Sequence, residues 1–298
     1  MQKSAFHDLA TARKARKLHF LTLNPLKSPD SRQKKTPRAA RLGWRWVAGA
    51  AALLVLALAG RRDLPAWADP NALWRIVHGE CVPHMEAGLG PGPCERVDLT
   101  GGVAEGVAIL KDLVGIAQML AIPTRRISGI EDPQMLSPDA PDVFGQGWRA
   151  RTFIEAILKR PTPRETISLA INAESSRTQD QLHVHLDCVA IPVAAALVEY
   201  APHLDGVWRP MNVTLNGDRY FARRVDGEDL AGVDPIRLLA EGIEGAKANM
   251  GGWSLAVIGA TFEGKPGFVL LADRFTLEGG GHAEDIQDHN CAILRSAP

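Results

Sequence analysis

The chain runs Thr166-Ile167-Ser168-Leu169-Ala170-Ile171-Asn172, then through the polar stretch Ala173-Glu174-Ser175-Ser176-Arg177-Thr178-Gln179-Asp180-Gln181, into Leu182-His183-Val184-His185-Leu186. Apolar residues alternate in both flanking pieces, which predicts two strands joined by a turn. On the second strand His183 and His185 stand two apart, so both rings face one side and Asp187 continues the row. Buried polar rings need partners, so a side-by-side pair calls for a wet face or a network. Two chemistries use such a pair: a metal centre with Asp187 as third ligand, or phosphoryl transfer in which one imidazole attacks and the other assists.

Working outward, Val107-Ala108-Ile109-Leu110 and the run from Ile116 to Ile122 predict paired strands closed by Pro123. A helix is expected from Asp69-Pro70 to about Gly79, and another over 143–159, with Phe144, Trp148, Phe153, Ile154, Ile157 and Leu158 at helical spacing before Pro161 and Pro163. The order then repeats. Arg125-Arg126-Ile127-Ser128-Gly129 recurs as Arg223-Arg224-Val225-Asp226-Gly227, an amphipathic helix is expected from Pro235 to Met250, and Trp253-Ser254-Leu255-Ala256-Val257 answers Ile167–Ile171. The strand Gly267–Leu271 of the second copy has no histidine. These features predict a duplicated α+β unit, with the site in a first half of about 69–190 and a degenerate second half of about 191–298.

Of 298 residues 46% are apolar and 23% charged, which excludes collagen-like, wholly disordered and multi-span membrane classes. The net charge of zero conceals an asymmetry, because residues 1–62 hold 14 Lys and Arg against 2 Asp and Glu. The rest is acidic, so no nucleic-acid face is expected on it. Residues 1–45 read as a basic disordered leader. Trp46 to Gly60 then runs 15 residues without a charge. As a helix it would cover only about 22 Å of a roughly 30 Å hydrocarbon layer. Arg45, Arg61 and Arg62 at its ends predict a transmembrane anchor or uncleaved signal over 46–62, and Ala66-Trp67-Ala68 offers the alternative of a cleavage site. Either reading exports the remainder. Cys81, Cys94, Cys188 and Cys291 fit an oxidising compartment. Three connectivities are open; the turn-rich segment between Cys81 and Cys94 favours a local bridge, leaving Cys188 to pair with Cys291.

The stretch from Asn172 through Arg177-Thr178-Gln179-Asp180-Gln181-Leu182-His183-Val184-His185-Leu186-Asp187 resembles the histidine-triad (HIT) pattern. The stretch Ile109-Leu110-Lys111-Asp112-Leu113, followed at Ala121-Ile122-Pro123-Thr124-Arg125-Arg126-Ile127-Ser128, is similar to that superfamily's other block. With the four cysteines, the N-terminal apolar segment and Ile286-Gln287-Asp288-His289-Asn290-Cys291, the likeness from about Leu73 to Leu294 is greatest to the CDP-diacylglycerol pyrophosphatase family. The resemblance implies an α+β HIT-like fold, an antiparallel sheet with flanking helices, as two halves in tandem behind one N-terminal membrane helix. It implies hydrolysis of CDP-diacylglycerol to CMP and phosphatidate through a nucleotidyl-histidine, without cofactor or catalytic metal. The implied location is the bacterial inner membrane, single-pass, with the catalytic domain on the periplasmic side.

Residue by residue, the resemblance makes His183 the nucleophile and His185 the third histidine, while Gln181 stands where the first belongs. A register shifted by one step would make His185 the nucleophile. Arg177 replaces the usual Gln and offers a bidentate phosphate fork. Thr178 matches a hydroxyl on the leaving group, Asn172 a residue that holds the active-site loop or phosphate, and Asp112 a ribose ligand. His289 is expected to position Cys291. A HIT-type hydrolase of soluble dinucleotides or nucleotide sugars and a non-catalytic metal-binding module are the alternatives.

Overall fold

The computed structural model describes residues 69–295; the leader over 1–45 and the segment 46–62 lie outside the described residues. Nine strands are present among them: β1 (Arg96–Asp98), β2 (Val107–Lys111), β3 (Met119–Pro123), β4 (Ile167–Ile171), β5 (Val184–Cys188), β6 (Arg209–Leu215), β7 (Asp218–Asp226), β8 (Trp253–Phe262) and β9 (Lys265–Arg274). All belong to one sheet of order β1-β2-β3-β5-β4-β8-β9-β7-β6. Every neighbouring pair is antiparallel. The helices are α1 (Ala72–Ile76), α2 (Val82–Glu86), α3 (Val143–Arg149), α4 (Arg151–Leu158), α5 (Ile191–Tyr200), α6 (Pro235–Gly242) and α7 (Ala292–Arg295).

The strands do not form the expected arrangement. Instead of two HIT-like halves in tandem, flanked by helices, the described chain is one continuous nine-stranded antiparallel sheet with few helices, the longest of 10 residues. The junction is the β4–β8 pair, where Ala170 faces Ala256 and Ser168 faces Ile258. Both strands are buried there, and an unpaired edge in that position would strand its backbone donors and acceptors away from water. The expected N-terminal membrane helix over 46–62 lies outside the described residues, and among the described residues no helix is long and apolar enough to cross a membrane.

Local chemistry shortens the helices. The helix expected over 143–159 is broken at Ala150 into α3 and α4, and Lys159 closes α4 at φ 53°. The helix expected to reach Met250 stops at Gly242, where the Trp208 ring lies so close that a Cβ would collide with it. The first helix instead continues past Gly79, through a π-helical turn at Val77–Cys81 into α2.

The sheet has two differently covered faces. On one, Leu169, Leu186, Val257 and Leu270 pack under Trp148, Ile154, Ile236 and Leu239 from α3, α4 and α6. Each such buried side chain contributes roughly 1.5–3 kcal/mol. On the other, the cross-strand row Leu120, His185, Ala170, Ala256, Leu271 places one imidazole among apolar side chains. The π turn and α2 cover one end through Val77 and Val82; α5 and the C-terminal segment cover the other through Val193, Leu197, Ala283 and Ile286. His185 lies between those covers. The bridges Cys81–Cys94 and Cys188–Cys291, with Cα separations of 5.7 and 5.1 Å, tie down α2 and the C-terminal segment.

Candidate active site

His183 immediately precedes β5 and His185 lies within it. Their ring centroids are 4.7 Å apart at 65°, and His183 is the more exposed of the two. His183 Nδ1 lies 2.8 Å from the backbone carbonyl of Gln181. A carbonyl only accepts, so Nδ1 carries the proton and Nε2 keeps its lone pair. Burial holds the His183 pKa below the ordinary histidine value, the Gln181 carbonyl opposing it, so the neutral ring persists at neutral pH.

His185 is 7% exposed. Its Nδ1 is engaged, at 3.0 Å from Gln118 Nε2 and 3.1 Å from Glu284 Oε1, with Asp112 Oδ2 at 4.0 Å. Nε2 is therefore the nitrogen left for a ligand. Burial, and next the neighbouring His183, lower its pKa well below the ordinary value.

The residues singled out from sequence divide into those turned to the imidazoles and those that are not. Asn172 clasps Glu284 twice, its Nδ2 donating to Oε2 and its Oδ1 accepting from the Glu284 N–H, both at 3.1 Å. Arg177 is mostly buried and paired with Glu131 at 2.8 Å, and it lines a small recess with Gly129, Asn172, Leu182 and His183. Thr178 is exposed and makes no hydrogen bond among the described residues. Gln181 turns its amide away: Nε2 donates to the carbonyls of Pro123 and Arg125, each at 3.0 Å. Only its backbone carbonyl serves His183. Gln181→Ala should leave those buried carbonyls unpaired and destabilise the fold by about 1–3 kcal/mol, readable as a lower denaturant midpoint with an unchanged slope.

Asp187 does not join the imidazoles as a ligand. Its oxygens take His289 Nδ1 at 2.8 Å and the Cys188 N–H at 2.8 Å. Burial raises the Asp187 pKa, while the hydrogen bond to Asp187 raises that of His289. Asp187 with Cys188 and Cys291 is the one three-residue group of metal-ligand atoms within 4.8 Å among the described residues, and the disulfide has consumed both sulfurs.

Sequence reading passed over Gln118 and Glu284. Gln118 donates to Glu284 Oε1 at 3.0 Å across 166 residues. The only local sign was Gln118 at the start of an apolar strand. Glu284 is delivered by a loop whose anchor is the buried Asp273, which accepts the Gly281 N–H at 2.6 Å, while the Gly281 carbonyl accepts from Ala173. Burial pushes the Asp273 carboxyl up to about 6. An unfolded Asp titrates near 4, so its contribution to stability is full below that value and is lost as pH rises through 6. Asp273→Asn keeps the acceptor and removes the titration. The melting temperatures of variant and parent should diverge between pH 4 and 7, the variant gaining on the order of 2 kcal/mol at pH 7.

A sheet that presents a bare imidazole nitrogen, with the ring's other nitrogen held by a carbonyl, beside a second imidazole and with an arginine at the rim, fits a hydrolase that works on phosphorus esters or anhydrides. Residues 68–295 match the family model described as CDP-diacylglycerol pyrophosphatase. The chain is also 37% identical over 257 residues to a CDP-diacylglycerol pyrophosphatase of Yersinia pestis, covering 86% of this chain and 97% of that protein. It belongs to the CDP-diacylglycerol pyrophosphatase family.

Proposed function

We propose that this chain hydrolyses the pyrophosphate of CDP-diacylglycerol to CMP and phosphatidate, with His183 as nucleophile. The observation that carries the mechanism is the 2.8 Å contact of His183 Nδ1 with the Gln181 carbonyl. Nε2 attacks the cytidylyl phosphorus, and the bond to the bridging oxygen breaks with its electron pair leaving on phosphatidate. The ring becomes cationic, and its Nδ1–H then donates more strongly to the same carbonyl. A water oxygen then bonds to the phosphorus as the phosphorus–nitrogen bond breaks with its electron pair returning to Nε2, one proton of the water passes to solvent, and CMP leaves with the ring neutral again.

His185 Nε2 donates to a non-bridging oxygen in this reading, and Arg177, exchanging Glu131 for phosphate, offsets charge beside it. Asp112 takes the ribose hydroxyls, Asn172 holds the site loop, and Thr178 meets the leaving phosphatidate once substrate draws its segment in. A lipid-borne substrate places the reaction at a membrane surface. Two disulfides support an oxidising compartment, which in a bacterium is the outer side of the inner membrane.

Hydrolysis in ¹⁸O-water tests the direction of attack. The label should enter CMP alone; label in phosphatidate would place the attack on the other phosphorus and remove His183 from the bond-forming role. Faster turnover of a dinucleoside polyphosphate than of CDP-diacylglycerol would move the substrate to the soluble class.

A further inference from the structure

Among the described residues Glu284 is the acidic side chain closest to His185, although the two are 99 positions apart in sequence. Its carboxylate cannot swing away. Gln118 Nε2 donates to Oε1 at 3.0 Å, Asn172 Nδ2 donates to Oε2 at 3.1 Å, and the Glu284 N–H is itself held by Asn172 Oδ1. So fixed, Oε1 lies 3.1 Å from His185 Nδ1. In the neutral ring that carries its proton on Nε2, Nδ1 accepts from Gln118, and two acceptors then face each other across 3.1 Å with no proton between them.

We infer that Glu284 is a positioning residue that makes substrate binding take up one proton, onto His185 Nδ1. This rests on the reading above that the pyrophosphate binds at the Nε2 side of His185. An anion there keeps one proton on Nε2. The Glu284 carboxylate then asks for a second on Nδ1, and the imidazolium satisfies both. At about 4 Å and an effective dielectric near 20, a single added charge shifts a protonation equilibrium by roughly a thousandfold, enough to offset the burial that keeps the free ring neutral.

The other charged groups around His185 bear on the balance. Asp112, from the loop after β2, is 4.0 Å from Nδ1 and favours the proton; its neighbour Lys111 is spent on the carbonyls of Asp112 and Gly115. His183, at 4.7 Å between ring centroids, opposes it, and Arg177 stands on the far side of His183 in the recess they share. His289 lies 3.7 Å from Glu284 Oε1 and is paired with Asp187 behind it. The pyrophosphate diester itself does not titrate near neutrality, so a proton taken up on binding belongs to the protein.

A methylene-bridged, short-chain analogue of CDP-diacylglycerol, titrated calorimetrically into the full chain in two buffers of different ionisation enthalpy at pH 7.5, reads the proton directly. Uptake of close to one proton is expected. Glu284→Gln lets an amide N–H donate to neutral Nδ1, so uptake should vanish, kcat/KM should fall roughly tenfold to hundredfold, and the alkaline limb of its pH profile should flatten. Glu284→Asp should restore part of the uptake. Binding by the parent protein without proton uptake, or parallel alkaline limbs in the parent and Glu284→Gln, would overturn the inference. A covalent nucleotide on His183 would survive that result, whereas loss of the nucleotide adduct would sink the nucleophile assignment instead.

Discussion

His183→Ala is expected to abolish both the covalent cytidylyl adduct and CMP release, lowering turnover by at least about a thousandfold. The ring is partly buried and makes one side-chain hydrogen bond, to the Gln181 carbonyl, so its loss should cost the fold only about 1 kcal/mol. His185 also leaves its Nε2 open, but with Nδ1 accepting from Gln118 that nitrogen carries the proton of the neutral ring and has no lone pair to attack with, while His289 Nδ1 is taken by Asp187. Substrate carrying a labelled cytidylyl phosphate, quenched in base and mapped, should mark His183. Label on His185 would shift the nucleophile one step along the strand face. His185→Ala should remain slow but active, because it removes a donor and leaves the attacking nitrogen in place.

Removing the Cys188–Cys291 bridge should have the second largest effect. It closes a separation of 103 residues, for which the loop-closure relation gives about 4–5 kcal/mol, a large part of a domain's ordinary stability. The bridge also holds the segment that carries Glu284 and His289 against β5. The double change Cys188→Ser, Cys291→Ser should therefore lose kcat/KM at temperatures where far-UV circular dichroism still shows the sheet. Removing Cys81–Cys94, which closes 13 residues, should cost about 3 kcal/mol and leave kcat/KM of the remaining folded protein unchanged. Equal losses of activity from the two bridges would mean that the C-terminal segment has no special part in the site.

Much of this could be read locally. The alternation through Ile167–Ile171 and Leu182–Leu186 marked the two central strands, and the spacing of His183 and His185 put both rings on one face, as β5 shows. Paired cysteines follow the same logic, since two cysteines 13 positions apart across a turn-rich stretch close easily on each other and leave one partner for the remaining pair. Helix ends were less legible. The break at Ala150 has no local sequence sign, and at Gly242 the helix stops where the Trp208 ring closes in, a neighbour that is invisible in a periodicity.

The sequence by itself determined the strand pair, the face on which the imidazoles lie and the chemistry that such rings can perform, because a strand's period of two is a property of the backbone. Tertiary structure alone decided that β4 and β8 join everything into one sheet, that Gln181 spends its amide on backbone carbonyls, and that Gln118 and Glu284 meet at His185. Those outcomes depend on contacts between residues 56 to 166 positions apart, where the partner is chosen by which buried polar group would otherwise go unpaired, and no local pattern records that choice.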